Sequence, residues 1–164
     1  MKKLIIMMML FAPMSIFAQK FGHLDTQSIM QSLPEISKVN GEVEAKAKEY
    51  ENDLKSMQEE LQRKAEEYDK NKSTMNATKQ QETEQSLQDM YNRIQQVYQE
   101  NQQKLQNLQQ ELMQPIIQKV RTAIENVGKA GGYTYIFETG VPLYIGDASK
   151  DLTSEVKAEI NKLK

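Results

Sequence analysis

From about Pro34 to Val127 the chain is rich in Gln and Glu, and its apolar or tolerant residues recur in steps of three and four. On an outgoing segment they fall at Val43, Ala47, Tyr50, Leu54, Met57, Leu61 and Tyr68. On a returning segment they fall at Leu87, Tyr91, Ile94, Tyr98, Leu105, Leu108 and Leu112. A repeat of about 3.5 residues lays one narrow stripe along a helix, and only a second helix covers so narrow a stripe. Between the segments, Asp69–Thr83 has almost no apolar periodicity and holds Asn71, Ser73, Thr74, Asn76 and Thr78, which places a tip near 70–81. The pattern predicts a mainly α protein: a long antiparallel coiled-coil hairpin over 34–127 on a small α+β head formed by 19–33 and 128–164.

The first eighteen residues stand apart. Lys2 and Lys3 precede an unbroken apolar run from Leu4 to Phe11, and Ser15-Ile16-Phe17-Ala18 supplies a cleavage site. These are the three parts of a secretory signal peptide, with cleavage expected after Ala18; the apolar run is short for a membrane span. Ile16 is larger than the ideal residue at its position, so an uncleaved signal anchor is the alternative. Export places the mature chain outside the cytoplasm, without stable membrane insertion and away from ATP. Cysteine is absent, which excludes disulfides and a lipidated N-terminus. Losing Lys2 and Lys3 takes the formal net charge from −2 to near −4, so no basic field exists to attract nucleic acid.

Phe21-Gly22-His23-Leu24-Asp25 reads as a strand ending at a helix-capping residue, followed by a turn or two containing Ile29, Met30 and Leu33. Pro34 suits the first position of the long arm, and Glu35 complements its dipole. Gly41 is a weak point, costing about 1 kcal/mol relative to alanine. From Pro34 to Asn71 the arm is roughly 55 Å long at about 1.5 Å per residue. On the return, the stripe Leu105, Leu108, Leu112 resumes after Pro115 at Ile116, Val120, Ala123 and Val127. That four-residue slip coincides with a residue that removes a backbone hydrogen bond, so Pro115 is expected to kink the helix and act as a hinge.

Gly128 and Gly131-Gly132 are expected to stop this helix. Tyr133–Glu138 and Val141–Ile145 then read as two strands around Thr139-Gly140, with Ile136 and Leu143 on one face and Tyr135, Phe137 and Tyr144 on the other. Both faces of such a sheet are apolar and need neighbours, which marks Phe21, Leu24, Tyr135, Phe137, Leu143 and Tyr144 as candidates for self-association. Thr153 reads as the N-cap of a last helix with Val156, Ile160 and Leu163 on one side.

Catalytic chemistry finds little support. His23 is the only histidine and has no cysteine to share a metal, so a structural role is expected. Gly128-Lys129-Ala130-Gly131-Gly132 follows a helix and lacks phosphate-loop spacing. The carboxylates are spread along helix faces, where i,i+4 pairing accounts for them. No cofactor or metal is expected. Met90 and Val97 lie one position off the returning stripe and either widen it or face a partner; Met75 lies in the polar tip. Flexible methionine suits binding many apolar surfaces.

The order of signal peptide, Phe21–Asp25 strand, Leu33-Pro34-Glu35 helix start, long hairpin and YTYIFETGVPLYIGDASKDLTSEV resembles the Skp/OmpH family of periplasmic chaperones over Gln19–Lys164. The resemblance implies a homotrimer with a β-rich head and three helical tentacles. These tentacles enclose unfolded outer-membrane proteins without ATP. Family members with basic tentacles differ from this slightly acidic chain, which argues against a lipopolysaccharide site here. The alternative function is a structural coiled-coil spacer or adaptor of the envelope; an enzyme is not expected.

Overall fold

A computed structural model describes residues 19–163. The leader and its cleavage after Ala18 lie outside them. The elements run β1 (Phe21–Leu24), α1 (Thr26–Gln31), α2 (Pro34–Asn71), a 3-10 turn (Lys72–Thr74), α3 (Ala77–Gly131), β2 (Tyr135–Glu138), β3 (Lys150–Asp151) and α4 (Thr153–Ile160). By internal contacts the chain divides into two compact units: residues up to Ile29 together with those from Thr122 onward, and Met30–Arg121.

The first unit is built on a three-stranded sheet of order β2-β1-β3. Both neighbours run parallel to β1, pairing Phe21 with Tyr135, His23 with Phe137, and His23 with Asp151. Successive side chains of a strand point to opposite faces. Gly22 and Leu24 therefore turn inward, while Phe21 and His23 turn outward. Beneath the inner face lie Ile29, Ala123, Leu152, Val156 and Ile160, each no more than 1% exposed. Gly22 is required by this packing, because a Cβ there would come within 2.6 Å of Leu152 Cδ1. Asp25 caps α1 as expected, its Oδ1 accepting the Ser28 amide at 2.8 Å.

Three expectations for this unit are corrected. Val141–Ile145 is not a strand: Val141 N–H closes a turn on the Glu138 carbonyl at 3.1 Å, and Gly140 has φ +96°. Pro142 then has no N–H to offer a ladder. The third strand is instead the short, polar Lys150–Asp151 on the other edge of β1. The long helix also runs through Gly128 to Gly131. It stops where Gly132 takes φ +65°, with Tyr133 N–H bonded to Gly128 O at 3.0 Å and Gly132 N–H to Lys129 O at 3.3 Å. That is the Schellman pattern, which needs glycine at its left-handed position. Finally, Thr153 is the first helical residue rather than the cap. Its hydroxyl accepts the Asp25 amide at 3.0 Å, and its own amide donates to Asp151 Oδ1 at 2.9 Å.

The second unit is the helical hairpin. Pro34 opens α2 and Asn71 ends it, as the sequence predicts. At the turn, Met75 is extended, and Asn76 Oδ1 accepts the Lys79 amide at 2.8 Å to cap α3. Gln80 closes the tip by donating to the carbonyls of Lys72 and Met75 at 3.0 Å. The antiparallel register is fixed near both ends. Tyr68 donates its hydroxyl to Glu84, and Lys119 Nζ lies 3.0 Å from Glu35 Oε1. Val39, Tyr68, Ile94, Ile116 and Val120 form the buried stripe, each 4–6% exposed. Asn101, 5% exposed, interrupts it with a polar side chain. Pro115 lies inside α3, which continues through it unbroken.

Candidate functional site

Each unit exposes one surface that its own packing does not account for. In the first, parallel pairing sets Phe21, Tyr135 and Phe137 side by side on the outer face of the sheet. Their ring centroids are 5.9–6.5 Å apart in stacked arrangement. They remain 37%, 56% and 40% exposed. Phe21 and Phe137 line a depression of about 360 Å³ with His23, Val141, Pro142 and Tyr144. His23 Nδ1 lies 3.0 Å from Ser149 Oγ at its wall. Beyond it the segment after Gly140 projects Leu143 and Tyr144 fully or mostly into solvent.

Of the residues expected to drive self-association, five therefore lie on this open surface: Phe21, Tyr135, Phe137, Leu143 and Tyr144. Leu24 does not. It is 3% exposed within the core of its own unit, which the strand alternation dictates once Phe21 faces outward.

On the hairpin, the structure reverses an assignment. The stripe of α3 passes through Leu87, Met90, Ile94 and Val97, all half-buried or buried, while Tyr91 and Tyr98 stand 51% and 52% exposed. A straight helix drifts about 20° per heptad, so positions 90 and 91 compete for the same seam. The thioether and isopropyl groups take the interior, and the tyrosines keep their hydroxyls in water. Met90 and Met57 line one hollow with Glu60, Lys64, Arg93 and Ile94. Met75 is half-buried in the tip. The signal that would have found this was available: a tyrosine is a poorer tenant of a thin seam than the Met or Val next to it.

Electrostatics at the tip are local. Lys72 lies 3.4 Å from Glu84 and 5.2 Å over the Tyr68 ring. Hydrogen bonding from Tyr68, then from Lys72, holds the Glu84 carboxyl below its ordinary value. Lys79 pairs with Glu82 at 3.4 Å. Along the arms, Lys46–Glu49, Lys55–Glu59, Lys64–Glu60 and Lys104–Glu100 pair within a turn. Such exposed pairs are screened by solvent and contribute little to stability. Among the described residues no group of His, Asp or Glu is placed to hold a metal ion, and no helix is long and apolar enough to cross a membrane.

Comparison with known proteins agrees with this fold. The crystal structure of a protein from Caulobacter crescentus, assigned as an OmpH-like outer membrane chaperone, superposes with a TM-score of 0.76 at 17% identity. The match covers 88% of this chain and 85% of that one, and it establishes the fold. No curated protein matches. The model of the family described as outer membrane protein (OmpH-like) matches residues 20–160, from the head strand through the last helix. The chain belongs to the OmpH-like outer membrane protein family.

Proposed function

We propose that this protein is a periplasmic chaperone that holds unfolded outer-membrane proteins without ATP, assembled as a homotrimer through its head. The observation that carries the reading is the OmpH-like match over residues 20–160, which takes in the open head and the hairpin together. Its structural relative from Caulobacter crescentus is described as an outer membrane chaperone. The chemistry is binding and release, not catalysis. A hairpin with one thin buried stripe gives each copy a long arm, and three arms joined at their heads enclose a space between them.

Charge sets how such an arm takes hold of a client. From Glu42 to Leu112 the chain carries ten basic and fifteen acidic residues. General attraction of acidic clients is therefore absent, and capture rests on many weak apolar contacts. The test is to dilute a urea-denatured β-barrel protein into buffer with purified mature chain and follow light scattering. Near-stoichiometric suppression of aggregation is expected; a rigid envelope spacer would leave the barrel to aggregate. Raising salt from about 0.05 to 0.5 M should weaken binding less than about threefold, because screening removes little attraction. A steep loss with salt would mean that charge does the holding.

In this reading Pro115 is the point about which each arm tilts, since its ring leaves a carbonyl of the preceding turn without its partner. Pro115→Ala should slow hydrogen exchange from Leu112 to Lys119. Equal exchange in both proteins would remove the pivot.

A further inference from the structure

Past Glu84, which lies on the other side, the charges along the middle of α3 are sorted by side. Between Gln85 and Gln118 the charged residues are Asp89, Arg93, Glu100, Lys104 and Glu111. At about 100° per residue they fall within about 60° of one another on a single flank of the buried stripe. The other flank carries Gln88, Tyr91, Gln95, Tyr98 and Gln102, all exposed. Gln109 continues it, so the neutral surface extends about 32 Å at about 1.5 Å per residue.

Solvation alone does not ask for this arrangement. An exposed helix face gains solubility and i,i+4 pairing from charge on any side, and α2 scatters its charges accordingly. A face kept neutral suits contact with a partner that brings no matching charge, because covering an unpaired charge is costly. The residue types fit one such partner. Half-exposed tyrosines offer broad apolar rings that need little ordering. Glutamine amides both donate and accept, matching the free N–H and C=O groups of an extended backbone. The opposite flank is unsuited, since Glu60, Lys64 and Arg93 crowd the half-buried Met57 and Met90 there.

We infer that the neutral flank of α3, anchored by Tyr91 and Tyr98, is the surface on which an unfolded, extended polypeptide lies. The inference rests on the chaperone reading and replaces Met90 and Val97 as the client-facing residues. Its occupant is an extended chain of alternating apolar and polar residues, gripped through backbone and side-chain contacts in many registers.

The test uses the full mature chain and a urea-denatured β-barrel protein carrying a fluorophore. Tyr91→Gln with Tyr98→Gln should weaken binding at least about fivefold, as loss of aromatic anchors does. Arg93→Gln with Lys104→Gln should change it less than about twofold. Gln95→Glu and Gln95→Lys should each weaken it, whichever sign of charge is introduced. Helix content and sedimentation of each variant are measured alongside. If the unsubstituted chain holds the barrel and the tyrosine pair holds it equally well, the flank is wrong and the chaperone reading stands. If the unsubstituted chain lets the barrel aggregate, that reading fails and this one with it. A tyrosine pair that sediments as a smaller species would show the flank covering another copy, which also overturns the inference.

Discussion

If the head assembles the proposed trimer, Phe137→Ser combined with Leu143→Ser should leave the mature chain monomeric at concentrations where the unsubstituted chain is expected to sediment as a trimer. Phe137 is 40% exposed and Leu143 is 108% exposed, so neither contributes much to the core of its own unit. Full burial of such a side chain is worth about 1.5–3 kcal/mol, and a closed ring repeats each contact three times over. The interior residues Ile29, Leu152, Val156 and Ile160 are untouched by these changes, so the far-ultraviolet spectrum should keep its helical shape. Analytical ultracentrifugation is the measurement. A stable monomer of the unsubstituted chain would mean that the aromatic face meets something other than its own copies.

A second large effect is expected from the contact between β1 and the start of α4. Leu152→Ala should destabilise the head by about 2–5 kcal/mol, the usual cost of emptying a buried leucine site. Gly22→Ala should cost about 1–3 kcal/mol, because its new methyl group collides with Leu152 Cδ1 at 2.6 Å. In the double variant the collision is gone and the added carbon fills part of the vacated space. Its cost should therefore fall below the sum of the two single changes by at least about 0.5 kcal/mol. Urea titration of the three variants decides this, and strictly additive costs would show that Gly22 is kept for some other reason.

The helical arms were legible in the sequence to the residue at several ends. Pro34 opens α2 and Asn71 closes it because both boundaries are local chemistry: a ring that suits a first turn, then a run of small polar residues. The aromatic face was legible too, since alternation places Tyr135 and Phe137 together. Leu24 should have been excluded by the same alternation, three positions from Phe21. What local chemistry does not encode is partnership. Lys150–Asp151 has no strand pattern of its own and becomes a strand only through the free edge of β1. Val141–Ile145 has strand-forming side chains yet leaves the outer edge of β2 unpaired, because the chain turns at Gly140 and Pro142 has no N–H to offer a ladder. On α3, a 3.5-residue template cannot decide between Met90 and Tyr91; the choice belongs to the opposing helix.

The order β2-β1-β3 has a consequence for how the chain comes into being. β1 is made first, and its two ladder partners begin only at Tyr135 and Lys150, so the central strand waits through more than a hundred residues for either edge to be filled. Closing a loop of that length directly is entropically slow, whereas a hairpin that zips from its tip brings distant segments together by short steps. The Lys119–Glu35 pair marks how far that zipping shortens the gap before any strand has paired. A chain cut off before Lys150 lacks β3, the buried Leu152 and all of α4, and so keeps only Ile29 and Ala123 of the interior beneath its sheet. Of the three head strands, the first to emerge is thus the last to be satisfied, and completion of the head reports that every element from β1 to α4 has arrived.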